Sequence, residues 1–160
     1  MADIRAALER LGLTLPEVVP PVAAYRPAVV SGPHVYVSGQ LPVADGELVE
    51  SGKVGAEITP ERARELARLC ALNGLAAALS VAGERGIARI VKVVGFVASA
   101  PGFTGQPGVV NGASEFFGEV LGEAGEHARS AVGVAELPLN APVEVELIAE
   151  LVARPRAVPV

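Results

Sequence analysis

Cysteine, histidine and tryptophan are nearly missing from this chain, and each shortage closes off a kind of chemistry. The single cysteine, Cys70, cannot form an internal disulfide, and its setting among Leu66, Leu69 and Leu72 marks it as a small buried apolar group. Two histidines far apart in the sequence, with no Cys-x-x-Cys, leave a metal ion short of ligands, so no metal site is expected. Thirteen basic residues stand against 18 acidic ones, a net charge of −5, and no Lys/Arg cluster or aromatic-rich basic face appears. Nucleic acid is therefore a poor electrostatic partner. No apolar run approaches the roughly 18 residues of a membrane span, and the opening MADIRAALERLGL has no apolar signal core, so a cytoplasmic protein without membrane contact is expected.

What is abundant is Ala, Val and Leu. Half of the 160 residues are hydrophobic although only 4% are aromatic, and the mean hydropathy is +0.44. That length suits one domain, and this much apolar surface is more than one small globule readily hides, so an oligomer is expected.

Along the chain, Ile4, Ala7, Leu8 and Leu11 recur at helical spacing between Asp3 and Gly12, which predicts a short amphipathic helix over 2–11. Prolines then space an extended lead-in as far as Pro27. AVVSG and HVYVSG, broken at Gly32-Pro33, read as a hairpin, and Asp45-Gly46 marks a further turn. Thr59-Pro60-Glu61 combines a capping hydroxyl, a proline where its missing N–H does no harm, and an acid in the positive first turn, so a helix is predicted from there to about Val81. Leu66, Cys70, Asn73 and Ala77 share one stripe of it, and Asn73 must find partners, most simply by tying down a neighbouring loop.

ARIVKVVGFVA, over 88–98, is β-branched and predicts a strand with Lys92 near an edge or interface. After the loop SAPGFTGQPG, a second helix is predicted from Val109 to Leu121, with Phe116 and Phe117 as core or interface anchors. The order ββαβαββ, preceded by a short helix, predicts an α+β fold: a mixed sheet with two helices packed on one face.

The most informative stretch is HARSAVGVAELPLNAPVEVELIAE, His127 to Glu150, which reads as two alternating strands joined by a Pro-bounded turn. In the second strand Val143, Val145, Leu147, Ala149 and Leu151 point one way and Glu144, Glu146 and Glu150 the other. Arg129 stands at the head of the first. A guanidinium is always charged and its fork matches a carboxylate two bonds at a time, so this arginine is a natural grip for a small organic acid. The plainer alternative is a cross-strand salt bridge from Arg129 to Glu144 or Glu146. His34 and His127, with no nucleophile paired to either, read as structural or solvent-exposed.

VYVSGQLP (35–42), VVNGASEFF (109–117), HARSAVGVAELP (127–138) and VEVELIA (143–149), in this order, resemble the RidA family. These are the reactive intermediate deaminases, also called YjgF and often labelled endoribonuclease L-PSP. The resemblance covers roughly Val22 to Val152, and residues 1–20 look like the N-terminal extension of a longer-chain branch. It implies a chorismate-mutase-like fold, a homotrimer with clefts between subunits, and hydrolysis of 2-imino and 2-enamino acids to 2-keto acids and ammonia without a cofactor. It also implies that Arg129 holds the substrate carboxylate and that Glu144 activates water or relays a proton. Ala131 would offer its carbonyl to that water. Ser38 and Gly39 would line the cleft with main-chain N–H groups, Asn111 would stand at the start of the second helix, and Tyr25 would lie over the ligand. Ala131 replaces the cysteine of the best-known members, AAYRPA lacks their Gly-Pro before the tyrosine, and the loop before Asn111 is longer. Two other readings stay open: a trimer that binds a small carboxylic acid without turning it over, and an endoribonuclease or translation inhibitor, against which the acidic charge argues.

Overall fold

In a computed structural model, residues 3–18, 24–83 and 86–153 are described. Ala2 and Val22, the expected starts of the first helix and of the core, lie outside them. The first helix, α1 (Ile4–Arg10), begins where the Asp3 carboxylate accepts the Ala6 N–H at 3.0 Å, and it ends before Gly12, which takes a positive φ. Its Ala7 and Leu8 are buried.

Ala28–Ser31 (β1) and His34–Gln40 (β2) form the expected antiparallel hairpin about Gly32-Pro33. Asp45-Gly46 is the turn of a second, minimal hairpin, Val43–Ala44 (β3) with Glu47–Leu48 (β4). The long helix α2 (Pro60–Ala82) is capped by the Thr59 hydroxyl, which accepts from the Arg62 N–H at 3.2 Å. It is long and apolar enough to cross a membrane, yet its apolar face, from Ala63 to Ala78, is buried within the fold. Asn73 donates to the carbonyls of Leu41 and Val43, 3.0 Å each, and so ties down the loop after β2. Cys70 is fully buried in the same stripe, and burial pushes its thiol up.

Ile87–Ala98 forms β5, and the second core helix is α3 (Gln106–Leu121). That helix starts three residues before the predicted Val109, because Pro107 is harmless in a first turn whose N–H groups have no helical partner. Phe116 and Phe117 are both completely buried. Gly95 lets α3 lie close over the sheet: a Cβ there would sit 2.3 Å from a Val110 methyl.

The last two strands are β6 (Ala128–Val134) and β7 (Val143–Leu151). They are not paired with each other. The sheet order is β1-β2-β7-β5-β6, so β5 lies between them; β6 runs parallel to β5, and every other pair is antiparallel. The expected simple turn between β6 and β7 is therefore a connection across the end of β5, through Pro138–Asn140, where Leu139 and Asn140 have positive φ. Lys92 sits in this inner strand rather than at the edge and donates to the Ser130 hydroxyl of edge strand β6 at 3.1 Å. Helices α2 and α3 cover one face of the sheet, against which alternate residues of β7 from Val143 to Leu151 are buried. The other face carries Tyr36, Phe96, Ile148 and the three glutamates of β7, and among the described residues no helix lies over it.

Candidate functional site

Register places Arg129. It stands opposite Val93, which is buried beneath the helices, and neighbours across a sheet share a face. The guanidinium accordingly reaches α3, where Nη1 donates to Asn111 Oδ1 at 2.8 Å and to Ser114 Oγ at 3.2 Å, while Nη2 donates to the Pro107 carbonyl at 3.4 Å. These bonds occupy three of its five donors. All three partners are neutral, and among the described residues no carboxylate pairs with it, so the charge stays uncompensated beside a cleft of about 370 Å³. Asn111, Ser114, Gly118, His127 and Arg129 line that cleft together with the exposed Glu126. Ala131, opposite Gly95, faces the same side two residues along β6.

Ser114 and His127 did not stand out in the sequence as site residues. His127 is half-buried, its Nδ1 is 2.6 Å from the Gly125 carbonyl and its Nε2 is 2.9 Å from Ser114 Oγ, which corrects the solvent-exposed reading. Burial first, and then the Arg129 guanidinium, hold this imidazole below its ordinary value, against the opposite pull of the Gly125 bond. A signal for both was present: Asn111 and Ser114 are three apart on a helix, and His127 and Arg129 two apart on extended chain, spacings that share a face.

Glu144 lies elsewhere. It stands opposite Phe96 and between the buried Val143 and Val145, so it points to the uncovered face, away from Arg129. The expected alternative of a cross-strand Arg129–Glu144 or Arg129–Glu146 bridge is thereby excluded, since β5 separates the strands and neither pair occurs. Burial, and then the neighbouring Glu146 carboxylate, raise the Glu144 carboxyl above the usual carboxylate range. Its side chain covers Gly39, where a Cβ would fall 1.7 Å from Oε1.

Ser38 and Gly39 occupy an irregularity in β2 between Val37 and Gln40, out of register with β7. The Ser38 N–H donates to the Pro27 carbonyl at 2.9 Å and its hydroxyl to the Arg26 carbonyl at 2.7 Å. Both donors of Ser38 are thus engaged, and its main chain is not the one open to a ligand. These bonds hold the segment carrying Tyr25, which is 61% exposed, against β2.

The candidates therefore gather in two places. Arg129, Asn111 and Ala131 are at the β6 edge on the helix-covered side; Gly39, Ser38 and Tyr25 are at the β1–β2 side, and Glu144, on the middle strand β7, reaches over Gly39 on the uncovered face. Three strand spacings separate β6 from β2, roughly 14 Å. Among the described residues no cluster of His, Cys, Asp and Glu could hold a metal ion.

Residues 5–151 match the family model described as "YjgF/chorismate_mutase-like, putative endoribonuclease". Protein TCP17 of Trypanosoma cruzi is 43% identical over 150 residues, covering 92% of this chain and 94% of that protein. A 2-iminobutanoate/2-iminopropanoate deaminase of Dermatophagoides farinae is 32% identical over 128 residues, covering 80% and 86%. The solved structure of Atu1372 from Agrobacterium tumefaciens, a protein of unknown function, is 43% identical with a TM-score of 0.81, covering 94% of each chain.

Proposed function

Because the chain belongs to the YjgF/chorismate-mutase-like family, we propose that it hydrolyses reactive 2-imino and 2-enamino acids to 2-keto acids and ammonia, in clefts assembled between copies of itself. The observation that carries this reading is Arg129: a guanidinium fixed by three neutral acceptors at the rim of a cleft, with its charge uncompensated. Such a group binds a carboxylate through the donors it has left. The similarity to an imine deaminase supports the substrate class.

Arg129 and Glu144, on opposite faces of one sheet, cannot meet within one chain, but they can meet between chains. A head-to-tail contact that sets the β6 edge of one copy against the β1–β2 side of the next brings Arg129 and Asn111 to Glu144, Gly39 and Tyr25. Repeated contacts of this kind close into a ring, and the family resemblance implies three members. The uncovered sheet face, with Val29, Tyr36 and Val132 each more than 40% exposed, supplies apolar surface for the same assembly.

In that cleft the carboxylate anchored on Arg129 fixes the imine carbon, so attack by water becomes a positioned step. Glu144, with its raised affinity for a proton, takes one from the water as the new C–O bond forms, helped by the Ala131 carbonyl. The same proton passes to nitrogen. Collapse of the tetrahedral adduct then moves its hydroxyl proton through Glu144 to the nitrogen, forms the C=O bond and breaks the C–N bond, releasing ammonia and the 2-keto acid. Water supplies the oxygen and nothing is oxidised, so the scheme uses no redox cofactor.

The test generates 2-iminobutyrate and 2-aminoacrylate in situ with a pyridoxal-phosphate dehydratase and follows 2-keto acid formation. Acceleration by the wild type and not by Arg129→Ala is the expected result. A second reading, binding without turnover, draws on the same observation, because the carboxylate grip is complete in one chain while the proton acceptor is not. Saturable binding of 2-oxobutyrate with no acceleration for any imine would favour it.

A further inference from the structure

We propose that Ser114 and His127 form a positioning relay that orients the Arg129 guanidinium and makes its hold on a carboxylate depend on pH. This rests on the reading of Arg129 as a carboxylate grip.

A backbone carbonyl can only accept, so the 2.6 Å contact to Gly125 puts the proton of neutral His127 on Nδ1. Nε2 is then an acceptor, and the Ser114 hydroxyl 2.9 Å away donates to it. With its hydrogen committed there, Ser114 Oγ turns a lone pair toward Arg129, whose Nη1 donates to it at 3.2 Å. Every link thus points one way, from guanidinium to hydroxyl to imidazole to carbonyl. The Ser114 oxygen is engaged on both sides, which makes it a connector and not a nucleophile. Phe117 packs edge-on against the imidazole, its centroid 5.9 Å away, and fixes the ring plane. Asn111 and Ser114, one helical turn apart, grip the same Nη1, so the side of the guanidinium left for a ligand is set by the relay.

Protonation reverses one link. An imidazolium donates from Nε2, Ser114 accepts from both neighbours, and a second positive charge arrives beside Arg129. That repulsion already helps to hold the imidazole below its ordinary value. A carboxylate bound on Arg129 relieves it, and by reciprocity its affinity rises as His127 protonates toward acid pH. Other charged groups face His127 from the surrounding elements: Glu126 next to it, Arg89 on β5, whose Nη2 reaches the Glu126 carbonyl at 3.5 Å, and His34 and Glu150, which line a neighbouring cleft with it. A variant that changes His127 alone leaves all of them in place.

The experiment is calorimetric titration of the full-length protein, in its native assembly, with 2-oxobutyrate between pH 5.5 and 8. Wild type should bind several-fold more tightly at pH 5.5 than at 7.5, up to about sixfold for a pKa shift of one unit on binding. His127→Gln keeps a donor for Gly125 and an acceptor for Ser114 but cannot titrate, so its affinity should show no rise between pH 8 and pH 5.5. Ser114→Ala should bind more weakly at every pH, because Arg129 loses an orienting acceptor, while the His127 charge still makes binding depend on pH. Equal pH profiles for wild type and His127→Gln, with Arg129→Ala still unable to bind, would overturn the relay and leave the Arg129 grip standing. Undiminished binding by Arg129→Ala would remove the grip itself, and the relay with it.

Discussion

At the β6 edge, Arg129 arrives with its orientation settled by Asn111, Ser114 and the Pro107 carbonyl, all on the helix that covers its side of the sheet. On the middle strand β7, Glu144 is half-buried on the uncovered face beside the Glu146 carboxylate, which repels its charge, and it overlies Gly39. One region is a finished binding element and the other an unfinished one. The difference follows from layering: α3 supplies polar partners to the residues beneath it, whereas among the described residues no helix lies over the other face, and in the proposed assembly its partners come from another copy. Under the proposed function a site divided in this way is active only when assembled, which would link the apolar excess of the sequence to its chemistry.

The largest effect expected is at the finished edge. Arg129→Ala should lower kcat/KM for imine hydrolysis by about 10³-fold, since anchoring and positioning are lost together, and it should abolish 2-oxobutyrate binding. Steady-state rates and calorimetry check this. Glu144→Gln should cost about 10²-fold in kcat with KM little changed, which separates the proton-handling half from the binding half. Because the carboxyl titrates above the ordinary range, the acid limb of the wild-type pH–rate profile should also lie above pH 4.5, and should vanish in that variant.

Gly39→Ala is milder. Its new methyl displaces the end of the Glu144 side chain and not the backbone, so a loss of about tenfold in kcat is expected without a cooperative unfolding defect. A comparable loss of stability would show that Gly39 serves the fold and not the site.

The smallest effect concerns stability. A carboxyl whose folded pKa is raised contributes stability that is lost as pH rises through that value, so at pH 7 the ionised Glu144 is a slight burden. Glu144→Gln should raise Tm at pH 7 by about 1 °C, a small figure because solvent screens a half-exposed group. The gain should disappear near pH 4.

Much of this architecture was legible in local signals. Thr59-Pro60-Glu61 announced α2, Gly32-Pro33 the first hairpin, and the alternation of valine and glutamate from Val143 the two faces of β7. Asn73 found the loop carbonyls its position demanded. Which strands pair was less legible: β6 and β7 are neighbours in sequence, but β5 lies between them, and nothing local distinguishes a hairpin from a connection across another strand's end. That one difference converts a possible Arg129–Glu144 ion pair into residues on opposite faces. The start of α3 was missed because Pro107 reads as a breaker when it is in fact a first-turn residue. The relay was missed because the sequence separation of Ser114 and His127 hides a contact made only when α3 packs against the head of β6.

The most direct measurement of the central claim co-assembles Arg129→Ala and Glu144→Gln protomers, purifies the mixed oligomer with two tags, and assays imine hydrolysis. In a ring of three that holds both kinds of protomer, one cleft of the three receives an intact Arg129 from one copy and an intact Glu144 from the next, so about a third of the wild-type rate should return from two nearly inactive parents. A mixed oligomer no more active than either parent would show that both residues act within one chain, and that the site is not divided between copies.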